Sequence, residues 1–498
     1  MKPTYYPSYE RFKELAGKGN VVPVYRQLLA DTLTPVSAFQ KISTAGHAFL
    51  LESAAGGEKM ARYSFLGAGP FMELSCRGYQ MEITRDTGKE RFETHDPIGA
   101  LKNEIEKFSP VAVDGLPYFS GGAVGYFSYD TVRYIEELPQ STVNDLKLPD
   151  ILFMFFDSVV VFDHQDKIIK VIANAFLDGT DPESAYKKAT RRIDTHVDML
   201  CTSVNSVSED IITDGQIKRK FSSNFNKEDF LGAVDRCKEY IRAGDVLQVV
   251  MSQRLGLKTK ANPLDIYRAL RVINPSPYMF YLDLGAIKLI GSSPEVMVKV
   301  DRDKVIVRPI AGTRRRGYSE EEDKRLEREL TNDPKELAEH IMLVDLGRND
   351  VGRVAEYGSV HLEDRMVIER YSHVMHITSS VTGRLRRDRN AFDTLKACLP
   401  AGTLSGAPKI RAMEIIEELE PTRRGPYGGA VGCIDFSSNM DTCITIRTIL
   451  LKDDTAYIQA GAGIVADSIP EREYKETLNK AKGLIQAIET AERMQSPG

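Results

Sequence analysis

Residues 333–350 read DPKELAEHIMLVDLGRND, and residues 467–482 read DSIPEREYKETLNKAK. Each stretch predicts a helix with two glutamates three residues apart, a spacing that places both side chains on one side of the helix. The two pairs are Glu336 with Glu339 and Glu473 with Glu476. Four carboxylates brought together would repel one another unless a cation lay between them, and Mg²⁺ prefers such oxygen ligands. These stretches predict an enzyme that holds an anionic substrate through a metal.

Glu336 has a structural alternative. Asp333 fits a helix N-cap and Pro334 fits the first helical position, which places Glu336 where a capping-box glutamate belongs. Glu339 lies a full turn further along, where a solvated helix face is the alternative to a site role. From the residues alone, both interpretations stay open.

Composition excludes several functional classes. The 498 residues carry 66 basic and 71 acidic side chains, a formal net charge of −5, which gives no support to nucleic-acid binding. The longest charge-free run, residues 115–129, is shorter than the roughly 20 apolar residues of a membrane span. The N-terminus lacks the apolar segment of a signal peptide, and the six cysteines form no CxxC pair. We therefore expect a cytoplasmic protein.

The chain is predicted to have an α+β fold, with large mixed β-sheets packed with helices. The run ILFMFFDSVVVF at 151–162 is typical of a buried pair of strands, and KEDFLGAVDRCKEYIRAGD at 227–245 predicts an amphipathic helix that ends at Gly244. The polar stretch between the two halves has no clear period. The expected organisation is an N-terminal region at 15–195, a linker at 201–222 and a second region at 224–490.

Glycine-rich and basic segments supply further candidates. In PIAGTRRRG, at 309–317, Gly312 and Thr313 predict a tight polar turn that presents a backbone N–H and a hydroxyl to a ligand. The three arginines suggest phosphate binding, but the acidic run that follows favours a self-paired charged segment. QAGAGIVADS, from residue 459, predicts a strand followed by a glycine turn at 461–463 and does not match a dinucleotide fingerprint.

Three other features are less specific. The loop AGTLSGAPK at 401–409 opens a helix whose N-terminus can bind an anion, or Ser405 simply caps it. Arg447, within apolar ITIRTIL, requires a carboxylate from the protein or from a substrate. His373 and His376 have a spacing that suggests zinc, but no third nitrogen or sulfur ligand is nearby.

Together these motifs resemble those of the chorismate-utilising enzymes. The resemblance covers most of the chain and rests on SSPE at 292–295, PIAGTRRRG, ELAEHIMLVDLGRND, YSHVMH, AGTLSGAPKIRAMEII, GGAVG, DTCITIRT and QAGAGIVADSIPEREYKETLNKA. Members that form aminodeoxychorismate have a lysine where this chain has Ala311. Members that add water to chorismate have a lysine where this chain has Gln248. The resemblance therefore implies the branch that uses ammonia to form anthranilate, in the first committed step of tryptophan biosynthesis. An aminodeoxychorismate synthase and a catalytically silent tryptophan-binding homologue are the alternatives.

The resemblance also implies roles for particular residues. Glu339 and Glu476 would bind Mg²⁺ directly, and Glu336 and Glu473 would act through water. Glu295 would be the acid that protonates the leaving hydroxyl, and His376 the base, with Thr403 beside them. The expected chorismate-binding residues are Gly312, Thr313, Tyr427, Arg447, Gly461, Ala462 and Gly463. The expected tryptophan-binding residues, in a regulatory N-terminal region and the start of the chorismate-binding region, are Glu52, Ser53, Pro277, Tyr278 and Met279.

A separate partner is implied as well. The chain has no cysteine in a GxCxG elbow, the nucleophile of a glutaminase. Use of glutamine would therefore require a glutamine amidotransferase subunit that supplies ammonia. Alone, the chain is expected to use only free ammonium.

Overall fold

The α+β fold is confirmed by a computed structural model, which describes residues 3–43, 46–53, 62–202, 211, 219–371 and 374–494. None of the helices in these ranges is long and apolar enough to cross a membrane. The described residues form eleven α-helices: α1 (Tyr9–Leu15), α2 (Pro35–Ile42), α3 (Pro97–Glu106), α4 (Pro182–Cys201), α5 (Lys227–Ala243), α6 (Pro263–Ile273), α7 (Glu320–Thr331), α8 (Pro334–Gly352), α9 (Ala391–Cys398), α10 (Lys409–Leu419) and α11 (Pro470–Met494).

The same residues form 26 strands. They are β1 (Val21–Leu29), β2 (Ala48–Glu52), β3 (Tyr63–Ala68), β4 (Met72–Arg77), β5 (Gln80–Arg85), β6 (Gly88–Glu93), β7 (Gly122–Phe127), β8 (Ile151–Phe156), β9 (Ser158–Asp163), β10 (Ile168–Phe176), β11 (Ser222–Ser223), β12 (Gln248–Lys258), β13 (Tyr278–Asp283), β14 (Ile287–Ser293), β15 (Val296–Asp301), β16 (Lys304–Val307), β17 (Ile310–Arg315), β18 (His361–Leu362), β19 (Val367–Arg370), β20 (Val374–Thr378), β21 (Val381–Arg384), β22 (Gly406–Ala407), β23 (Ala430–Asp435), β24 (Met440–Ile444), β25 (Thr448–Lys452) and β26 (Thr455–Ile464).

These strands form two large antiparallel sheets and a small third one. The first sheet has the order β1-β10-β9-β3-β2-β13-β14-β25-β26-β12-β11, with β22 also paired to β12. The second has the order β18-β21-β16-β15-β24-β23-β7-β8-β4-β5-β6, and the third is β17-β20-β19. Both large sheets combine strands from the two halves of the chain. Phe280 faces Leu51 across β13 and β2, and Gly432 faces Gly125 across β23 and β7.

The predicted strand pair at 151–162 forms two strands that belong to different sheets. β8 pairs with β4 and β7 in the second sheet, whereas β9 pairs with β3 and β10 in the first. The chain therefore passes from one sheet to the other at Asp157. A buried cluster with members from both sheets, including Phe49, Phe156, Val124 and Leu289, shows that the two sheets pack face to face.

The amphipathic helix predicted at 227–245 is confirmed as α5. Asn226 caps its N-terminus, the face with Phe230, Val234 and Cys237 is buried, and Gly244 ends it with φ +85°. The division into a regulatory and a catalytic region stays a prediction, and residues 203–210 and 212–218 of the expected linker lie outside the described residues.

Candidate active site

Helix α8 begins as the sequence predicted, with a different partner for its first glutamate. Asp333 is the N-cap, accepting hydrogen bonds from the backbone N–H of Lys335 (3.0 Å) and of Glu336 (3.4 Å), and Pro334 is at the first position. The Glu336 carboxylate accepts a hydrogen bond of 2.9 Å from Nη1 of Arg314. The capping-box alternative is therefore wrong, because an arginine from β17 binds this side chain instead.

The charged segment after β17 is self-paired, as predicted. Arg316 forms a salt bridge of 2.9 Å with Asp323, and Arg315 pairs with Glu322. Only Arg314 of the three arginines turns toward α8. A phosphate site on these arginines therefore has no support, because their charges are already balanced.

Glu339 lies one turn after Glu336, on the same side of α8. Burial raises the pKa of its carboxyl, and the negative charge of Glu336 raises it further, while a hydrogen bond from Gln248 acts in the opposite direction. Gln248 is the first residue of β12. Glu339 is thus a partly buried carboxylate that faces the first large sheet, not a solvated surface residue.

The second pair of glutamates lies at the start of α11. Burial raises the pKa of Glu473, the charge of Glu476 adds to that increase, and a hydrogen bond from Ser468 opposes it. Glu476 forms a salt bridge of 2.7 Å with Lys480, one turn further along. Two lysines, Lys335 and Lys480, act against the raised pKa of both Glu339 and Glu473. The two helices therefore bring their acidic pairs close to the same cations.

A metal fits the chemistry of these side chains, although they do not form a closed coordination shell. Within the described part of the chain, no group of three or more His, Cys, Asp or Glu side chains is arranged to hold a metal ion. The predicted convergence of all four carboxylates is thus not seen; instead, Arg314 and Lys480 pair with Glu336 and Glu476. Each pair nevertheless consists of oxygen donors whose mutual repulsion a hard cation would relieve.

Glu295 is a buried carboxyl between β14 and β15. Thr403, in a short 3₁₀ turn at Gly402–Leu404, donates a hydrogen bond of 3.1 Å from its hydroxyl to Oε1 of Glu295. Burial raises the pKa of Glu295 to about 8, although the hydrogen bonds from Thr403 and from the backbone N–H of Ile310 oppose that increase. This carboxyl stays protonated near neutral pH and can serve as an acid.

Ser405 does not cap the helix that follows this turn. Its hydroxyl donates a hydrogen bond of 3.0 Å to the carbonyl oxygen of Ala401, and α10 begins after Pro408 without a side-chain cap. The same loop places the Thr403 hydroxyl against the Glu295 carboxyl.

His376, in β20, has an imidazole whose pKa is shifted in the direction opposite to that of Glu295. Its Nδ1 lies 2.9 Å from the carbonyl oxygen of Gly312, which can only accept, so Nδ1 carries the proton and Nε2 keeps a free lone pair. Burial lowers the pKa of the imidazole. The hydroxyl of Thr313 is 3.1 Å from the same Nδ1. His376 is thus a neutral base, whereas His373, its proposed zinc partner, lies outside the described residues.

One strand, β17, contacts both Glu295 and His376. In β17, the N–H of Ile310 binds the Glu295 carboxyl, and the carbonyl of Gly312, two residues later, binds His376. The predicted turn at Gly312 is instead a bulge within this strand, where φ is +68°. A glycine is needed there because a Cβ would lie 2.9 Å from Leu330 in an unfavourable conformation.

The predicted glycine turn at 461–463 is also wrong, since these residues lie inside β26 and pair with β12. A Cβ on Gly461 would lie 2.8 Å from the hydroxyl of Tyr427, and one on Gly463 would lie 2.5 Å from Nε2 of Gln248. Ala462 points to the opposite face and is fully buried. The glycines allow two side chains to approach this strand, a requirement that local sequence does not reveal.

Arg447 and Tyr427 lie next to that strand. Arg447 has a positive φ of +49° and donates a hydrogen bond of 3.1 Å from Nη1 to the carbonyl oxygen of Lys480. Among the residues with described placement, it forms no salt bridge. Its charge acts on the pKa of both His376 and Tyr427, which places all three side chains together. Arg447 is available for an anionic ligand.

Sequence reasoning missed Lys480. Its Nζ donates a hydrogen bond of 2.9 Å to the carbonyl oxygen of Gly461 and also pairs with Glu476, so it joins α11 to β26. Its position four residues after Glu476 is the spacing of a helical ion pair and could have identified it. Gln248 was noted only as an unusual position, and its contact with Glu339 was not predicted.

The five residues expected to bind an inhibitor line a single cavity of about 250 Å³ between the two large sheets. Glu52 on β2 is paired to Met279 on β13, and its carboxylate is bound by the Tyr267 hydroxyl at 2.5 Å and by Arg271 at 3.0 Å. The Ser53 hydroxyl is buried and has no hydrogen-bond partner. Residues that the sequence did not indicate also line the cavity, chiefly Lys299, Tyr118 and Asp441, with a hydrogen bond of 3.0 Å from the Tyr278 hydroxyl to Asp441.

Comparison with known proteins agrees with this geometry. Residues 46–486 match the sequence pattern of the chorismate binding enzymes. The anthranilate synthase component 1 of Acetivibrio thermocellus is 50% identical over 98% of this chain and 99% of the relative. That of Pseudomonas aeruginosa is 48% identical over 97% of this chain and 99% of the relative.

Solved structures give the same result. The anthranilate synthase component I of Streptococcus pneumoniae superimposes with a TM-score of 0.77 at 38% identity, covering 92% of this chain and 99% of that one. MenF, an isochorismate synthase of Escherichia coli, shares the fold with a TM-score of 0.69 at 16% identity, covering 97% of this chain and 99% of its own. The family predicted from the motifs is therefore confirmed, and the chain belongs to the chorismate binding enzymes.

Proposed function

We propose that this chain converts chorismate and ammonia to anthranilate and pyruvate in a Mg²⁺-dependent reaction. The observation that supports it most is the acid and base joined by β17: a carboxyl with a pKa of about 8 at Glu295 and a neutral imidazole at His376. Environments that push the pKa values of two groups in opposite directions are typical of acid–base pairs in catalysis. The printed names of the relatives favour the same reaction.

In the first step, ammonia attacks the ring carbon beside the carboxylate-bearing carbon, and the ring hydroxyl leaves. Glu295 donates its proton to that hydroxyl, so water departs. When bound, Mg²⁺ would hold the ring carboxylate and withdraw electron density from the ring as a Lewis acid. Glu339 and Glu476 would bind it directly, and Glu336 and Glu473 through water.

The second step forms the aromatic ring. Nε2 of His376 removes the proton from the carbon that received nitrogen, and the enolpyruvyl group leaves as pyruvate. Arg447 and Tyr427 would hold the enolpyruvyl carboxylate against the strand at 461–463. The close approach of this strand to Tyr427 supports that placement, as does the absence of a salt bridge at Arg447 in the described residues.

The purified chain, supplied with chorismate and Mg²⁺, should form fluorescent anthranilate with ammonium and none with glutamine. The reason is that ammonia would come from a separate glutamine amidotransferase, in the cytoplasm, as the component 1 names of the relatives suggest. Product analysis by chromatography separates the alternatives. Aminodeoxychorismate would point to the other aminating branch, and no turnover with ammonium would favour a silent homologue.

We also propose that the cavity between the sheets binds tryptophan as a feedback inhibitor. Its apolar walls suit an indole ring, and the unpartnered Ser53 hydroxyl can bind the amino acid group, whereas the Glu52 carboxylate is already bound by Tyr267 and Arg271 and would shape the site indirectly. Replacing Ser53 with Ala should weaken tryptophan binding about tenfold in titration calorimetry, because one hydrogen bond in a dry cavity is lost. Ser109→Ala, an exposed serine outside the cavity, is the matched control. Equal affinities for both variants would remove Ser53 from the site.

A further inference from the structure

A buried ion pair lies directly behind the candidate active site. Arg424 and Glu420, just after α10, are only 3% and 4% exposed. The guanidinium binds the carboxylate through two hydrogen bonds, Nε to Oε2 at 2.9 Å and Nη2 to Oε1 at 2.6 Å. Neither Arg424 nor Glu420 is among the residues proposed above as the acid, the base, the metal ligands or the substrate-binding residues.

The other contacts of Arg424 reach three segments that carry site residues. Nη1 donates a hydrogen bond of 2.6 Å to the carbonyl oxygen of Leu404, the residue after Thr403. Nη2 donates one of 2.7 Å to the carbonyl oxygen of Val250, in the strand that begins with Gln248. The guanidinium carbon lies 5.7 Å from the centre of the Tyr427 ring, and its nearer aromatic neighbour, at 4.7 Å, is Tyr129, which is not a candidate site residue.

Glu420 completes the network on the other side. Its Oε1 accepts hydrogen bonds of 2.8 Å from both the N–H and the hydroxyl of Ser252, and that hydroxyl accepts one of 2.9 Å from Gln459 in β26. The pair therefore binds β12, and through it β26, to the turn that carries Thr403.

We propose that Arg424, fixed by Glu420, is a positioning residue that holds Thr403 against the Glu295 carboxyl and the Tyr427 ring against β26. This inference rests on the proposed function. Stability alone is a poor explanation, because a buried ion pair is often no more stabilising than apolar side chains of the same volume. The planar, forked guanidinium binds both carboxylate oxygens of Glu420 and still reaches two carbonyl oxygens, whereas the three donors of a lysine ammonium are too few for all four contacts.

The test is a double-mutant cycle in the ammonium-dependent assay. Arg424→Lys should lower kcat at least tenfold, and Thr403→Val should lower it about tenfold. In the Arg424→Lys background, Thr403→Val should reduce kcat less than twofold further, because the hydrogen bond to Glu295 is already lost. A full tenfold loss in both backgrounds would overturn the proposal.

The chain offers a matched control beside α10. Arg133, in the 3₁₀ turn at Tyr129–Tyr134, is a largely buried arginine bound to Asp130 at 3.2 Å and to Glu417 of α10, and it contacts neither Thr403 nor Tyr427. Arg133→Lys should reduce thermal stability to a similar extent and leave kcat within twofold of the wild type. An equal loss of kcat in both variants would assign Arg424 a purely structural role.

A measurement without substrate separates this proposal from the proposed function. The Thr403 hydrogen bond lowers the pKa of Glu295, so Arg424→Lys should raise that pKa as Thr403→Val does, in a ¹³C NMR titration of the side-chain carboxyl. Lys480 of α11, whose charge lowers the pKa of Glu295, and Asp350 of α8, which lines the same pocket, form no hydrogen bond with Arg424. An unchanged pKa would contradict the proposal even if the wild type proved inactive.

A second variant tests the proposal in case Arg424→Lys does not fold. Arg424→Gln combined with Glu420→Gln leaves no unpaired buried charge, and it should give the same loss of kcat and the same raised pKa. Normal values of both quantities in this variant would also overturn the proposal.

Discussion

Glu339→Gln should reduce kcat by roughly 1000-fold, equivalent to about 4 kcal/mol of transition-state stabilisation, while the protein stays folded. The amide keeps the size of the carboxyl and loses the charge that would bind Mg²⁺. Burial and the neighbouring Glu336 raise the pKa of Glu339, so the charged form is disfavoured in the metal-free protein. The midpoint of thermal unfolding without metal should therefore be equal or higher. Anthranilate fluorescence over a Mg²⁺ titration measures the first effect, and calorimetry the second.

The control is Glu228→Gln, an exposed glutamate in the first turn of α5 that is unconnected with the site. It should retain wild-type kcat and the wild-type Mg²⁺ dependence. Near-normal turnover by Glu339→Gln would refute the metal assignment, whereas a loss of turnover with an unfolded protein would assign Glu339 a structural role.

Glu295→Gln should have two large effects with opposite signs. Turnover should fall about 10²- to 10⁴-fold, because the variant lacks the carboxyl that we propose as the acid for the leaving hydroxyl. Stability at high pH should rise. The folded-state pKa of about 8 lies above that of an unfolded glutamate, so the folded protein binds the extra proton and loses stability as pH rises toward 8. Glutamine removes that loss, a gain of up to about 5 kcal/mol at pH 9.

The free energy of unfolding of the wild type and of Glu295→Gln should be measured by urea unfolding at pH 5, 7 and 9. The difference between the two proteins at pH 5 is the internal control. At pH 5 the two proteins should differ little, since Glu295 is protonated in the folded wild type. For the wild-type enzyme, kcat/KM should decline above about pH 8, where the free enzyme loses its acid. Equal stability at all three pH values would show that Glu295 is charged in the folded protein.

The sequence predicted those site features that depend on neighbouring residues. Asp333 and Pro334 start α8 where the capping rules place its beginning, and the i,i+3 spacing correctly places each glutamate pair on one helix side. Local spacing does not predict the burial of Glu339, because that burial depends on β12, about ninety residues earlier in the chain.

Sequence reasoning failed where a distant residue determines the local structure. The glycines at 461 and 463 suggested a turn, but they are required by Tyr427 and Gln248, which approach β26 from other segments. Glu336 matched a capping box, but Arg314 from β17 binds it. In each case the competing partner is separated by at least twenty residues, beyond the range of rules based on local spacing.

The hairpin of β13 and β14 connects the cavity between the sheets to Glu295, which follows β14. Tyr278, in the cavity wall, is paired across β13 and β14 with Ser293, two residues before Glu295. A molecule that displaces Tyr278 would therefore be expected to shift the segment that carries Glu295, the proposed proton donor. Communication between the cavity and Glu295 would then need only one pair of facing residues in adjacent strands. It would not need rotation of one half of the protein against the other.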